Sequence, residues 1–101
     1  MGKIDCMAVL KALSEQTRMR IVRLLMKQPL GVNDISERIG VSQYNTSKHL
    51  QILREAGLLE MEAQGKLRIY SIQAELAERL ASSKNVLELD CCTFRFDKLP
   101  K

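Results

Sequence analysis

Hydrophobic residues recur with helical spacing along most of the first half of the chain. The pattern predicts a short apolar helix over Ile4–Leu13 and a second helix that begins at the N-cap Ser14 and runs to about Lys27. A third, short helix is predicted over Val32–Ile39. Gly40 is expected to end it, because glycine readily takes the positive φ favoured after a helix C-terminus.

A fourth helix, over Ser42–Ala56, has a strongly polar outer side. Ser42 is a suitable N-cap, because its hydroxyl can accept a hydrogen bond from an unpaired amide of the first turn. Thr46, Leu50 and Leu53 are spaced to pack inward. The other side offers amides, hydroxyls and a cation, which are the groups that hydrogen-bond base edges in the DNA major groove. An ordinary solvated helix surface is the alternative interpretation.

The two helices within residues 32–56 are joined by a short turn, as in a helix-turn-helix. Two β-prone runs follow, Leu59–Ala63 and Leu67–Ile72, on either side of Gly65. Leu67, Ile69 and Ser71 alternate with Arg68, Tyr70 and Ile72, and Arg68 is assigned to the outer side. Residues 59–72 therefore predict a wing with Lys66 at its tip.

The last part of the chain returns to helical spacing and then changes again. Residues 73–84 predict a helix whose apolar side carries Leu76, Ala77, Leu80 and Ala81. The tail, residues 85–101, alternates like a strand whose frame shifts at the adjacent cysteines Cys91 and Cys92. The expected fold is one domain over residues 1–101, mainly α with a small β-hairpin.

Charge is unevenly distributed along the chain. Residues 1–72 hold 11 Lys or Arg and 7 Asp or Glu, whereas residues 73–101 hold 5 of each. The net charge of +4 therefore coincides with the polar helix and the wing, as a polyanion-binding module requires. The basic stripe Arg20, Arg23 and Lys27 is interpreted as a solvated face. With a single histidine and no nucleophile–base pair, an enzyme is not expected.

These segments resemble the ArsR/SmtB family of bacterial winged-helix regulators. The similarity rests on LKALSEQTRMRIVRLL, on VNDISERIGVSQYNTSKHLQILREAGLLE and on GKLRIYSI. The resemblance implies a cytoplasmic homodimer that binds operator DNA and dimerises through the first and last helices, residues 4–13 and 73–84. No membrane partner is expected, because no apolar run approaches the length of a membrane span. A protein-interaction module without specific DNA binding is the rival from another class.

The predicted DNA contacts lie on the fourth helix and the wing. His49 is given a packing role or a phosphate contact, since it lies beside the core. The full set is Ser42, Gln43, Tyr44, Asn45, Ser47, Lys48, His49, Gln51, Lys66 and Arg68.

The inducer site departs from the sites that the resemblance implies. Gly31-Val32-Asn33 occupies the position of the family's Cys-Val-Cys arsenic and lead site, and residues 73–84 hold neither the His nor the Asp of its zinc and nickel site. The three cysteines are expected to be free thiols of a cytosolic protein.

Cys91 and Cys92, with Cys6 as a third candidate, suit a thiophilic ion such as As(III) that releases the repressor from DNA. Zinc is disfavoured because it prefers four closed ligands. A redox switch and a pair of buried apolar cysteines are the alternatives.

Overall fold

The computed structural model describes residues 5–89 and 91–98 of the 101-residue chain. Ile4, Asp90 and residues 99–101, which belong to the predicted first helix and tail, lie outside the described residues. The described part contains five α-helices, a three-stranded sheet and a two-stranded sheet. The elements are α1 (Cys6–Leu13), α2 (Gln16–Leu25), β1 (Leu30–Gly31), α3 (Val32–Ile39), α4 (Gln43–Glu55), β2 (Leu59–Gln64), β3 (Leu67–Ile72), α5 (Ala74–Ser82), β4 (Val86–Glu88), β5 (Thr93–Arg95) and a 3₁₀ turn (Phe96–Lys98).

The junction between α1 and α2 corrects the predicted N-cap. Ser14 closes α1, because its hydroxyl donates to the Lys11 carbonyl at 2.7 Å. Glu15 is the N-cap of α2, and its carboxylate accepts from the amides of Thr17 at 2.9 Å and Arg18 at 3.1 Å. A carboxylate with two oxygens satisfies two of the unpaired amides at a helix N-terminus, whereas a single hydroxyl satisfies one.

The helix-turn-helix follows the prediction closely. α3 has the predicted bounds, and Gly40 ends it with φ of +72°. Ser42 caps α4 by accepting from the Asn45 amide at 3.2 Å. Leu50 and Leu53 are fully buried, as predicted. Thr46 is buried too, and its hydroxyl donates to the Val41 carbonyl before the helix at 3.4 Å.

The hairpin β2–β3 forms the wing, but its inner face differs from the one that the alternation suggested. Tyr70 and Ile72 are buried although they share the side of Arg68, and Leu67 is 59% exposed. The physical reason is β1, which pairs with the base of β3 so that Leu30 lies opposite Tyr70. Core contact is therefore confined to the base of the hairpin, and the end that carries Leu67 projects into solvent.

The tail is a hairpin and not the single frame-shifted strand that was predicted. β4 pairs with β5 in antiparallel fashion, and the chain reverses between Leu89 and Cys92, whose backbone groups are bonded at 2.8 Å. Leu87 and Phe96 from the two arms are almost completely buried. The alternation on each side of the cysteines therefore belongs to two separate strands.

One hydrophobic core joins all of these elements. The tail contributes Leu87 and Phe96 to the same cluster as the helix-turn-helix, so the tail packs on the domain. Within the described ranges, no helix is long and apolar enough to cross a membrane.

Candidate nucleic-acid interface and cysteine cluster

The helix α4, which we call the reading helix, presents a continuous set of polar side chains to solvent on its outer face. Tyr44 is 69% exposed at the start of this face. The hydroxyl of Ser42 is occupied by capping, so its contribution is to fix where the helix starts. The other predicted contact residues on this face are all exposed: Gln43, Asn45, Ser47, Lys48 and Gln51.

Two contacts on this face were not apparent from the sequence pattern. The Lys48 ammonium lies 4.6 Å from the centroid of the Tyr44 ring, in a cation–π contact. The Gln51 amide donates to the Glu55 carboxylate at 3.0 Å. Both pairs are four residues apart, which brings side chains together on a helix surface. Each contact therefore pairs two exposed side chains one helical turn apart.

The wing carries two further cationic side chains that are exposed to solvent. Gly65 has φ of +62° and allows the tight reversal between β2 and β3. Lys66 is exposed at the tip, and Arg68 is exposed next to it on β3. Exposed cations of this kind bind phosphates without reading sequence.

His49 lies apart from the exposed set. Its side chain is 22% exposed and is turned toward the start of α2. Its Nδ1 atom is 3.3 Å from Nη1 of Arg18 and 3.6 Å from the carboxylate of Glu15. His49 therefore lies in a polar cluster between α2 and the reading helix, which fits the packing interpretation better than a phosphate contact.

Glu15 anchors this cluster. Partial burial on its own raises the pKa of the Glu15 carboxyl, but the hydrogen bonds from the amides of Thr17 and Arg18 and from the Thr17 side chain outweigh it, and the pKa lies below its ordinary value. The sequence prediction missed Glu15 and Arg18 as partners of His49, because they belong to a different helix.

The three cysteines, which we call the cysteine cluster, lie together. Cys6 in the first turn of α1 is joined to Cys91 by a disulfide, with their Cα atoms 6.1 Å apart. The expectation that all three are free thiols is therefore wrong for these two. The physical reason is the tail hairpin, whose turn brings Cys91 back to the start of α1. Cys92 is a free cysteine, and its Sγ atom is 3.7 Å from that of Cys91.

The sequence of this chain is similar to those of bacterial transcription regulators. The sequence profile of bacterial regulatory proteins of the arsR family matches residues 15–61. An uncharacterised HTH-type transcriptional regulator of Mycobacterium tuberculosis is 37% identical over 79 residues, which make up 76% of this chain and 69% of that protein. The chain belongs to the ArsR family.

Two further proteins extend the comparison. The transcriptional repressor SdpR of Bacillus subtilis is 31% identical over 69% of this chain and 78% of its own length. A solution structure of the homodimeric winged helix-turn-helix domain of a possible ArsR-family regulator from Mycobacterium bovis matches with a TM-score of 0.70 and 28% identity, covering 83% of this chain and 85% of that one. The predicted family and winged helix-turn-helix fold are confirmed, and ArsR-family proteins are DNA-binding transcription regulators, not enzymes.

Two helices, α1 and α5, leave apolar side chains exposed. On α1, Met7 is 62% exposed and Leu10 is 37% exposed. On α5, Ala77 and Ala81 are exposed while Leu76 and Leu80 pack inward. The sequence pattern had placed all four α5 residues on one side. The structure separates them into a buried leucine row and an exposed alanine row.

Proposed function

We propose that this ArsR-family chain is a homodimeric, sequence-specific repressor that works in the cytoplasm and whose affinity for its operator is controlled by the cysteine cluster. The DNA-binding half rests on one observation: the reading helix has an exposed polar face and packs against β2 of the wing, which also exposes Lys66 and Arg68. Gln43 and Asn45 are the assigned readers, since amide side chains pair with adenine. Tyr44, Ser47 and Lys48 are assigned to phosphates and to a thymine methyl.

Selection from a randomised duplex library with the reduced protein tests specific binding. The Gln43→Ala variant is expected to bind the selected operator about tenfold or more weakly, and to bind random-sequence DNA unchanged. The matched control is Gln16→Ala, which removes an exposed glutamine from α2. Failure to enrich any sequence would favour the protein-interaction module instead.

The sensing half rests on the contact between the tail turn and α1. Reduction of the Cys6–Cys91 bond leaves three thiols on one site, since Cys92 already lies beside Cys91. Three thiolates suit a soft trivalent ion such as As(III). As the described residues stand, no group of three or more His, Cys, Asp or Glu side chains could hold a metal ion. Ligation therefore requires the reduced cluster, because ligands must be deprotonated thiols.

A redox switch is the second candidate, and the Cys6–Cys91 disulfide favours it. Two thiols lose two protons and two electrons to an oxidant such as a peroxide or a low-molecular-weight disulfide, and one S–S bond forms. Metalloid ligation and disulfide formation share one physical consequence. Each ties the tail hairpin to the first turn of α1.

Measuring release of the protein from the selected operator distinguishes the metalloid mechanism from the redox mechanism. Arsenite added to reduced protein without oxygen is expected to release the DNA in the metalloid mechanism, and the Cys91→Ser and Cys92→Ser variants are expected not to respond. In the redox mechanism, oxidised glutathione releases the DNA, a reductant restores binding, and Cys92→Ser still responds. A Cys91→Ser variant that responds like wild type to both reagents would remove the cluster from the mechanism.

A further inference from the structure

Arg18 makes a polar connection between α1, α2 and the reading helix. Its side chain is only 15% exposed and begins on the first turn of α2. Nε donates to the carbonyl of Ala12, in the last turn of α1, and Nη1 lies 3.3 Å from Nδ1 of His49 on the reading helix. A guanidinium carries several donors in a rigid plane, so one side chain can fix both neighbours at once.

The connection begins where the cysteine cluster acts. α1 is a single eight-residue helix that holds Cys6 in its first turn and Ala12 in its last. At 1.5 Å per residue it is a rod of about 12 Å, too short to bend appreciably. A shift of Cys6 imposed by Cys91 is therefore transmitted to the Ala12 carbonyl, which Arg18 follows through its hydrogen bond.

Apolar packing alone does not fix the direction of such a shift. α1 also packs against the reading helix, and Ala8, Ile52 and Ala56 line the shallow groove between them. Hydrophobic contact is non-directional, so it does not by itself specify one relative orientation of the two helices. Hydrogen bonds depend steeply on angle and distance, so Arg18 links the direction of α1 to that of His49.

We propose that Arg18 and His49 are positioning residues that transmit the state of the Cys6–Cys91 pair to the reading helix. This inference rests on the proposed function, since it requires operator affinity to depend on the cysteine cluster. In the physical sense the pair carries a coupling free energy between two sites, and its removal uncouples them. Neither residue contacts DNA in this role.

The test measures operator affinity by fluorescence anisotropy in a Cys92→Ser background, in which Cys6 and Cys91 are the two remaining cysteines of the chain. Each protein is titrated after full reduction and after oxidation with oxidised glutathione, and the disulfide is verified by mass spectrometry. The quantity compared is the ratio of the oxidised to the reduced Kd. Coupling between sites in proteins is typically about 5- to 150-fold, which sets the range expected for the parent protein.

Arg18→Met is expected to bring this ratio to within about twofold of one, because it removes both hydrogen bonds. Arg20→Met is the matched control, since it removes an exposed arginine from the same helix and should leave the ratio unchanged. His49→Leu should act like Arg18→Met. His49→Asn should retain the coupling, because its amide oxygen can stand where Nδ1 accepts from Arg18.

The ratio of the oxidised to the reduced Kd shows whether Arg18 and His49 position the reading helix or only stabilise the fold. A residue that only stabilises the fold would weaken binding in both redox states and leave the ratio intact. Arg18→Met with the parent's ratio would overturn the inference while leaving the proposed sensor standing. A parent protein whose affinity ignores the disulfide would overturn the sensor and this inference together. If Arg18→Met does not fold, the variants His49→Leu and His49→Asn provide the same comparison.

Discussion

The disulfide between Cys6 and Cys91 should contribute strongly to stability, because it closes almost the whole chain into one loop. The two cysteines are 85 residues apart, and the chain-entropy relation gives about 4.5 kcal/mol for the loss of freedom in an unfolded loop of that length. Unfolding in urea is the direct assay, at one fixed protein concentration, since a homodimer's stability depends on concentration. If the free energy of unfolding falls by about 2 kcal/mol per M urea, the urea midpoint of the oxidised protein should lie roughly 2 M above that of the reduced protein.

Cys6→Ser supplies the matched comparison for this prediction. It removes the cross-link at the α1 end and should unfold like the reduced wild type in both redox states. Cys92→Ser should retain the full difference, since Cys92 is free in the folded chain. Oxidised and reduced wild-type proteins with the same urea midpoint would refute the reasoning, because a native tail tied to α1 must restrict the unfolded chain.

Three further predictions concern the DNA-binding surface and its support. Lys66→Gln and Arg68→Gln should each lower the slope of log affinity against log salt by about 1 per protomer, and unchanged slopes would exclude phosphate contacts by the wing. Ser42→Ala should cost about 1 kcal/mol in urea unfolding, because it removes the cap on the Asn45 amide, and Ser42→Asp should recover most of that loss. Glu15 has a pKa below its ordinary value of 4.5, so its stabilising contribution is present above that pH and is lost as the pH falls through the lowered pKa. The stability gap between wild type and Glu15→Gln should therefore be visible at neutral pH and close in acid, and a gap independent of pH would contradict the cause assigned to the shift.

The features that the sequence predicted well are those determined within a few residues. The reading helix follows from a cap at Ser42 and from the spacing of Leu50 and Leu53, and both operate inside one helix. The same local reasoning failed at Ser14, because serine is a favoured N-cap residue but the adjacent Glu15 takes that position. Their roles depend on where α1 ends, which the spacing of apolar residues does not fix to one residue.

The features that were missed depend on contacts between distant segments. The inner face of the wing is decided by β1, a two-residue strand too short to give a periodic pattern. The contact of Cys6 with Cys91 depends on the path of the tail hairpin over the domain. His49 was placed beside the core from its angle on the helix, but its partner Arg18 comes from α2.

The central claim, that this ArsR-family chain binds an operator under control of its cysteine cluster, is tested most directly by one titration. A selected operator duplex is titrated with reduced wild-type protein, and the titration is repeated with arsenite and with oxidised glutathione. We predict tight, salt-dependent binding that at least one reagent weakens about fivefold or more, with Cys91→Ser unresponsive. The claim would be contradicted if neither reagent changed operator binding by the wild-type protein. It would also be contradicted if the reagents weakened binding by Cys91→Ser as much as binding by the wild type.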